Sequence, residues 1–293
     1  MSEMMGKIDC IWIFYHILYN HQLKMSHNIP YKLRDWIDES KIHWCSLSQN
    51  PNAIHFLEQN PNKISWYDLH FNPNAIHMFA QHKQKLFYDR LSMNPNAIHL
   101  LEQYQDEIKW YWLSMNPNAI HLLEKNPDKI YWYMLARNPN AIHFIERNIE
   151  KVNWPSLSKN PSAIHLLEQN PDKIYWNWLC ANPNAVHLLE KNPEKITWRW
   201  LSQNPNAIHL LEQNPDKIDW QHLCLNPNAI HLLEQNQDKI AWYEFSQNPS
   251  IFVYDYTAMK ESYTDLKREL IQRAWHPKRV AMLLEAGMDL DEM

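Results

Sequence analysis

The chain has 293 residues, 45% of them hydrophobic and 13% aromatic, with 15 Trp, so it has ample apolar surface to bury and is not a disordered chain. Its only glycines are Gly6 and Gly287, which excludes phosphate-cradling Gly-rich loops and the usual nucleotide-binding folds. A net charge of -5 gives no field to draw in a polyanion, and the four cysteines, Cys10, Cys45, Cys180 and Cys224, lack CxxC or metal spacing and fit a reducing compartment.

In chain order the first feature is the apolar run Cys10–Tyr19, CIWIFYHILY. It is about half of the ~20 residues that span a bilayer. It reads as a packed capping helix or as sequence ahead of a start at Met25; a secretory signal would want a small-residue cleavage site, and Asn20, His21 and Gln22 follow instead. Between residues 29 and 48, Trp36, Ile42, Trp44 and Leu47 carry only the second half of a pattern that recurs downstream. Residues 1–49 are therefore expected to form an N-terminal helical cap holding one partial repeat.

From Asn50 an Asn-Pro pair recurs every 22 residues, at Asn72, Asn94, Asn116, Asn138, Asn160, Asn182, Asn204, Asn226 and Asn248. Residues 50–247 are nine complete copies of N-P-N-A-I-H-L-L-E-x-N-P-D-K-I-x-W-x-x-L-S-x. In each copy Asn is placed to cap a short helix with Pro at its first position. A second Asn-Pro, as in Asn126-Pro127, then breaks that helix and turns the chain. The second half presents Ile, Trp and Leu, as in Ile130, Trp132 and Leu135, and Ser65, Asn153, Thr197 or Asp219 is placed to cap a second short helix. The residue after that Leu is usually Ser, with Ala136, Cys180 and Cys224 as replacements, and its small size implies close approach of neighbouring backbones; the cysteines are thus structural. After Asn248-Pro249-Ser250 the motif dissolves, and Leu266–Ala274 and His276–Ala286 read as two helices inside a C-terminal cap over residues 248–293.

Ordering one 22-residue unit costs roughly 20–40 kcal/mol of backbone entropy, while burying its five or so large side chains returns only about 8–15. Units must therefore stack, and the predicted fold is all-α: a solenoid, or superhelix, of about ten two-helix repeats between helical caps. With helices about 8–10 Å apart, the array would be a rod or shallow superhelix about 70–90 Å long.

The stretch LSxNPNAIHLLExNPDKIxW resembles the Asn-Pro-rich repeats encoded in many copies by nucleocytoplasmic large DNA viruses, the giant viruses of amoebae and algae. The closing AWHPKRVAMLLEAGMDLDEM is similar to tails of proteins from the same viruses. That resemblance implies a viral protein acting in the host cytoplasm or in the virion, and it carries no biochemical activity with it. A weaker likeness is to leucine-rich-repeat variants, whose slightly longer units also place NPN at a helix start and imply a right-handed superhelix.

Several columns could carry chemistry. One His per unit, from His55 to His231, cannot converge three or four ligands on one ion, so a structural hydrogen bond is expected and no metal. Glu and Lys columns are expected to form a solvated, charge-compensated face, and the Trp column to sit in the core. No catalytic constellation converges at one place, so neither an enzyme nor a cofactor is expected. Binding surfaces of repeat proteins are written in their variable columns. Tyr111, Trp112, Tyr133, Met134, Trp178, Arg199 and Trp200 form the candidate partner-binding surface, because Tyr, Trp, Met and Arg are enriched at interfaces. Trp112, Trp178 and Trp200 fit equally as gap fillers between layers. The expected function is a non-enzymatic scaffold for a protein partner, without membrane association. The alternative is single-stranded nucleic acid read by one stacked base per repeat, against which the acidic neighbours of the Lys column weigh.

Overall fold

In the computed structural model, residues 30–274 are described, together with Ala281 and Glu285; the Cys10–Tyr19 run and most of the proposed His276–Ala286 helix lie outside them. The chain forms two compact units, Leu33–Phe252 and a second one to which Pro30–Lys32 and the segment from Val253 belong.

The repeat unit, or module, folds as its sequence dictates, with one refinement. Asn72 is extended and its Oδ1 accepts the Asn74 N–H at 3.0 Å, which starts a 3-10 turn over Pro73–Ala75; the α-helix proper runs Ile76–Gln81. The second Asn ends the first helix: Asn126 Nδ2 donates to the Leu122 carbonyl at 2.9 Å, a 3-10 turn Pro127–Lys129 follows, and a short helix Trp132–Leu135 completes the module. Ser65, Asn153 and Asp219 cap their helices as expected. Thr197 does not cap; its hydroxyl donates to Asn177 Oδ1 in the preceding module at 2.5 Å. His43 is an additional cap, through Nδ1.

Stacking rests on three ladders. The leading Asn of each module donates both Nδ2 hydrogens to backbone carbonyls of the module before it, as Asn138 does to Ser114 at 3.1 Å and to Asn116 at 2.8 Å. The third residue adds a bond of the same kind, Asn140 Nδ2 to the Pro117 carbonyl at 3.0 Å. Finally, the Ser after the Leu donates to the Trp carbonyl four residues back and accepts the N–H that precedes the next Trp: Ser114 binds Trp110 at 2.8 Å and Tyr131 N at 3.0 Å. Cys180 and Cys224 accept through sulfur at 3.3 and 3.4 Å. Burial raises both thiols above their ordinary range, Cys224 to about 11, which keeps them protonated and inert. The leading Asn side chains are buried, so each bonded amide spares two carbonyls and itself a desolvation cost of about 1–3 kcal/mol per group. Between the ladders, Leu113, Ala119 and Leu123 and their counterparts in other modules are fully buried, and those from Leu91 to Ala141 form one hydrophobic cluster that crosses module boundaries.

These ladders do not stop at the ends. Asn50 donates to Ser246 O at 3.1 Å and Asn248 O at 2.8 Å, as if module ten preceded module one. Asn52 Nδ2 reaches the Pro249 carbonyl at 3.0 Å, and His43 N donates to Ser246 Oγ at 2.9 Å. Unit Leu33–Phe252 is therefore a closed ring of ten layers, not the expected rod, and its ends are not polar caps but two halves of one module. Asn248–Ile251 supplies the opening turn, and Trp44–Ser48 supplies the second helix. Arg34 seals the joint by donating Nε to the Ser250 carbonyl at 2.7 Å and its backbone N–H to Ile251 O at 3.0 Å.

Two further departures concern the ends. The first helix of the tenth module is absent: Phe252–Tyr254 is a short strand, β2, paired with β1, Tyr31–Leu33, since alternating aromatic and β-branched residues suit a pleated ribbon. In place of a helix starting at Leu266, one helix spans Tyr256–Ala274, opened by Asp255 Oδ1 accepting the Thr257 and Ala258 N–H groups.

Candidate functional site

Around the ring, the regular columns are occupied by one another. Among the described residues the Glu column forms no ion pair with the Lys column beside it. It accepts from the His of the next module: His121 Nε2 lies 2.9 Å from Glu102, with equivalent pairs at His165–Glu146, His187–Glu168, His209–Glu190 and His231–Glu212. The expectation that His makes a neighbouring hydrogen bond thus holds. Lys lies instead over the Trp of the preceding module, Lys239 at 4.2 Å from the Trp220 ring and Lys129 at 4.6 Å from Trp110. This corrects the placement of Trp wholly in the core; the indoles are half-buried lids with a cation on their outer face. Lys41 over Trp242 at 5.5 Å continues the same column across the closure. Among the described residues no group of three or more His, Cys, Asp or Glu could hold a metal ion, and no helix is long and apolar enough to cross a membrane.

Module one carries a substitution that sequence reading overlooked. His70 takes the place of the bridging Ser, is fully buried, and makes both of its bonds: Nδ1 donates to the Trp66 carbonyl at 2.7 Å, and Nε2 accepts the Phe87 N–H at 2.9 Å. Only the neutral imidazole can do both. Burial accordingly holds its pKa below the ordinary histidine range.

The variable columns form two rows. In the first, the residue after one Trp meets the residue before the next: Tyr67 packs edge-on against Phe87 at 5.5 Å, and Tyr111 against Tyr131 at 5.4 Å. Tyr111 and Tyr133 are 38% and 43% exposed, and Tyr67, Phe87, Tyr131 and Tyr175 are exposed as well, so this part of the ring presents clustered aromatics, interrupted by Asp89 and Lys109 and by Asn153 and Pro155. The row closes with Tyr243 against His43 at 4.8 Å.

The second row joins the column of Trp112, Met134, Ser156, Trp178, Trp200 and His222 to the residue that precedes each Asn-Pro. Arg137 and Trp178 belong to modules two apart, yet the guanidinium carbon lies 5.9 Å from the indole centroid. At about 8–10 Å per packed module, that separation would be about 16–20 Å in a straight stack, at the limit of what two fully extended side chains span. The modules converge on this face, which is the inner side of the ring. Here Trp178 and Trp200 stack at 6.4 Å with 17° between planes, and Trp200 meets His222 edge-on at 5.3 Å. His222 bridges Asp219 and Arg199, at 3.0 and 3.3 Å. Although burial pulls the Asp219 carboxyl upward, the backbone and ring N–H groups of His222 hold it below the usual range.

The candidate residues fall into two rows that touch, since Tyr111 packs edge-on against Trp112 at 4.9 Å and the Arg199 guanidinium lies 5.6 Å from the Trp200 ring. Tyr111, Tyr133 and Arg199 lie in the first row, Trp112, Trp178 and Trp200 in the second, and Met134, only 4% exposed, is packed between layers and must be removed from a contact surface. Sequence reading missed Phe87, Tyr131, Tyr175, Arg137 and Lys159. Their columns vary from unit to unit as much as the two singled out, and that variability was the available signal.

Fold and surface together define the class: an all-α repeat protein whose solenoid closes on itself, with framework columns satisfied from module to module and variable columns that differ in residue type and exposure. The chain matches no protein-family model, no curated protein and no solved structure.

Proposed function

We propose that the chain is a non-enzymatic ring scaffold that binds a protein partner across several adjacent modules. The observation that supports this reading is the set of exposed aromatics along one row, Tyr67, Phe87, Tyr111, Tyr131, Tyr133 and Tyr175, two pairs of which pack edge-on, in a protein whose regular columns are already paired with each other. Large aromatics held exposed by a rigid frame lose little side-chain entropy on binding and are characteristic interface anchors. The likeness of its repeats to those of giant viruses supports placing the protein in the host cytoplasm or in the virion.

The test uses the intact ring and a Tyr111→Ser/Tyr133→Ser variant as baits in host-cell extract. A partner retained by the first and depleted at least about tenfold on the second is expected, a loss of about 1.4 kcal/mol. Equal recovery on both baits, or none on either, would refute the aromatic row as the interface.

A further inference from the structure

We infer that Arg137, Lys159 and Trp178, on the inner face of the ring, form a site for an organic oxyanion, a phosphate or carboxylate carried on a flat aromatic ring. The site is independent of the outer aromatic row and of whatever that row binds.

The charges make the case. In a protein of net charge -5, two cations stand side by side, and among the described residues neither makes an ion pair with a carboxylate. Both lie over one indole, Lys159 Nζ at 5.7 Å and the Arg137 guanidinium at 5.9 Å from the Trp178 centroid. The acids that share this inner row are engaged elsewhere, Asp68 with Ser65 and Gln49, Glu244 with Gln221. They also belong to the modules flanking the closure, half a ring away from Arg137 and Lys159.

Local packing explains how the cations meet. Ser156 occupies a place filled elsewhere by Trp112, Trp178 or Trp200, and its small side chain lets Arg137 pass over its module to reach Trp178. Ser156 is 1% exposed and its Oγ has no hydrogen-bond partner; Gln203 Nε2, following Trp200, is a second buried donor without one. Unpartnered buried donors are uncommon, and these two stand in the same two columns as Trp178 and the cations, a row in which Arg90 Nε is a third. An oxyanion between Arg137 and Lys159 satisfies the guanidinium fork and the ammonium together. Burial, then the neighbouring Arg137, hold the Lys159 ammonium below its ordinary range, and an anion at this place would relieve that penalty. The stacked indoles Trp178 and Trp200 supply an apolar wall beside the two cations, against which a flat ring packs. A polynucleotide would need cations along the whole row, whereas Arg90, the other arginine in this face, is held over Tyr67 and Phe71.

Calorimetric titration of the full chain at low salt with phenyl phosphate, benzoate and inorganic phosphate tests the site. Arg137→Gln and Lys159→Gln are suitable variants, because Gln49, Gln203 and Gln247 fill the same column; Trp178→His follows His222. Saturable binding of phenyl phosphate or benzoate is expected, weakened at least about tenfold by either cation variant. Which of the two binds more tightly separates a phosphate from a carboxylate ligand. Trp178→His should weaken the aromatic anions and leave inorganic phosphate little changed. Absence of saturable binding of all three below about 10 mM, or equal binding by wild type and a cation variant that retains cooperative unfolding, overturns the inference.

Discussion

The arc of nine contiguous modules and the composite tenth one use the same bonds over very different chain separations. Asn138 reaches residues 22 and 24 positions back, whereas Asn50 reaches residues 196 and 198 positions ahead, with the same pair of acceptors and comparable distances. The tenth module lacks a first helix, yet its Asn, Ser and Lys columns continue unbroken. The comparison teaches that the backbone ladders on the converging side close the ring, while the first helices and their His–Glu pairs follow the outer side and can be omitted once.

Removing the N-terminal half of the composite module breaks this comparison most severely. Deletion of residues 1–49 strips Ile42, Trp44 and Leu47 from the joint and exposes the opposing Phe245; at about 1.5–3 kcal/mol per buried side chain, a loss of about 5–9 kcal/mol is expected. Urea unfolding should show a much lower midpoint, and light scattering should show self-association through the freed ends. An unchanged midpoint would mean that the joint adds nothing.

A finer comparison pits Asn50→Ala against Asn138→Ala. Each removes one buried amide and leaves two carbonyls without their donor, so each should cost about 2–4 kcal/mol in the same urea assay. The two values are expected to agree within about 1 kcal/mol. A much smaller cost for Asn50→Ala would show that the closure is looser than the arc.

The smallest effect concerns pH at the one bridging imidazole. His70 is neutral in the fold and has a depressed pKa, so the unfolded chain takes up its proton first as pH falls through about 6.5. Stability from His70 is fully present above that pH and is lost below it. His70→Ser restores the residue used in most modules, and its stability relative to wild type should be flat above about pH 7.5 and rise from pH 7 to pH 5. A constant difference across that range would rule out the neutral bridge.

Much of this was legible before any coordinates. The Asn-Pro spacing located every module, the second Asn-Pro placed the turn, and Ser65, Asn153 and Asp219 were recognisable caps. Even the complementary ends were visible, with KIHWCSLSQ at one and NPS at the other. What could not be read was that the leading Asn, in addition to its Asx cap, spends its amide on the preceding module, or that His70 imitates Ser, because these roles are defined by a neighbour's backbone. The candidate site was legible as a set of variable columns and not as two rows, since one helical turn sends adjacent residues in different directions.

Sequence alone determined the module, its two helices and the need to stack, because capping, turn chemistry and apolar periodicity act within a few residues. Only the tertiary structure decided that the stack is a ring. A rotation of roughly 36° per module closes ten of them, and that small angle is the sum of packing contacts that differ between the inner and outer sides. The same convergence brings Arg137 within reach of Trp178, a neighbourhood that residues 41 positions apart acquire through curvature.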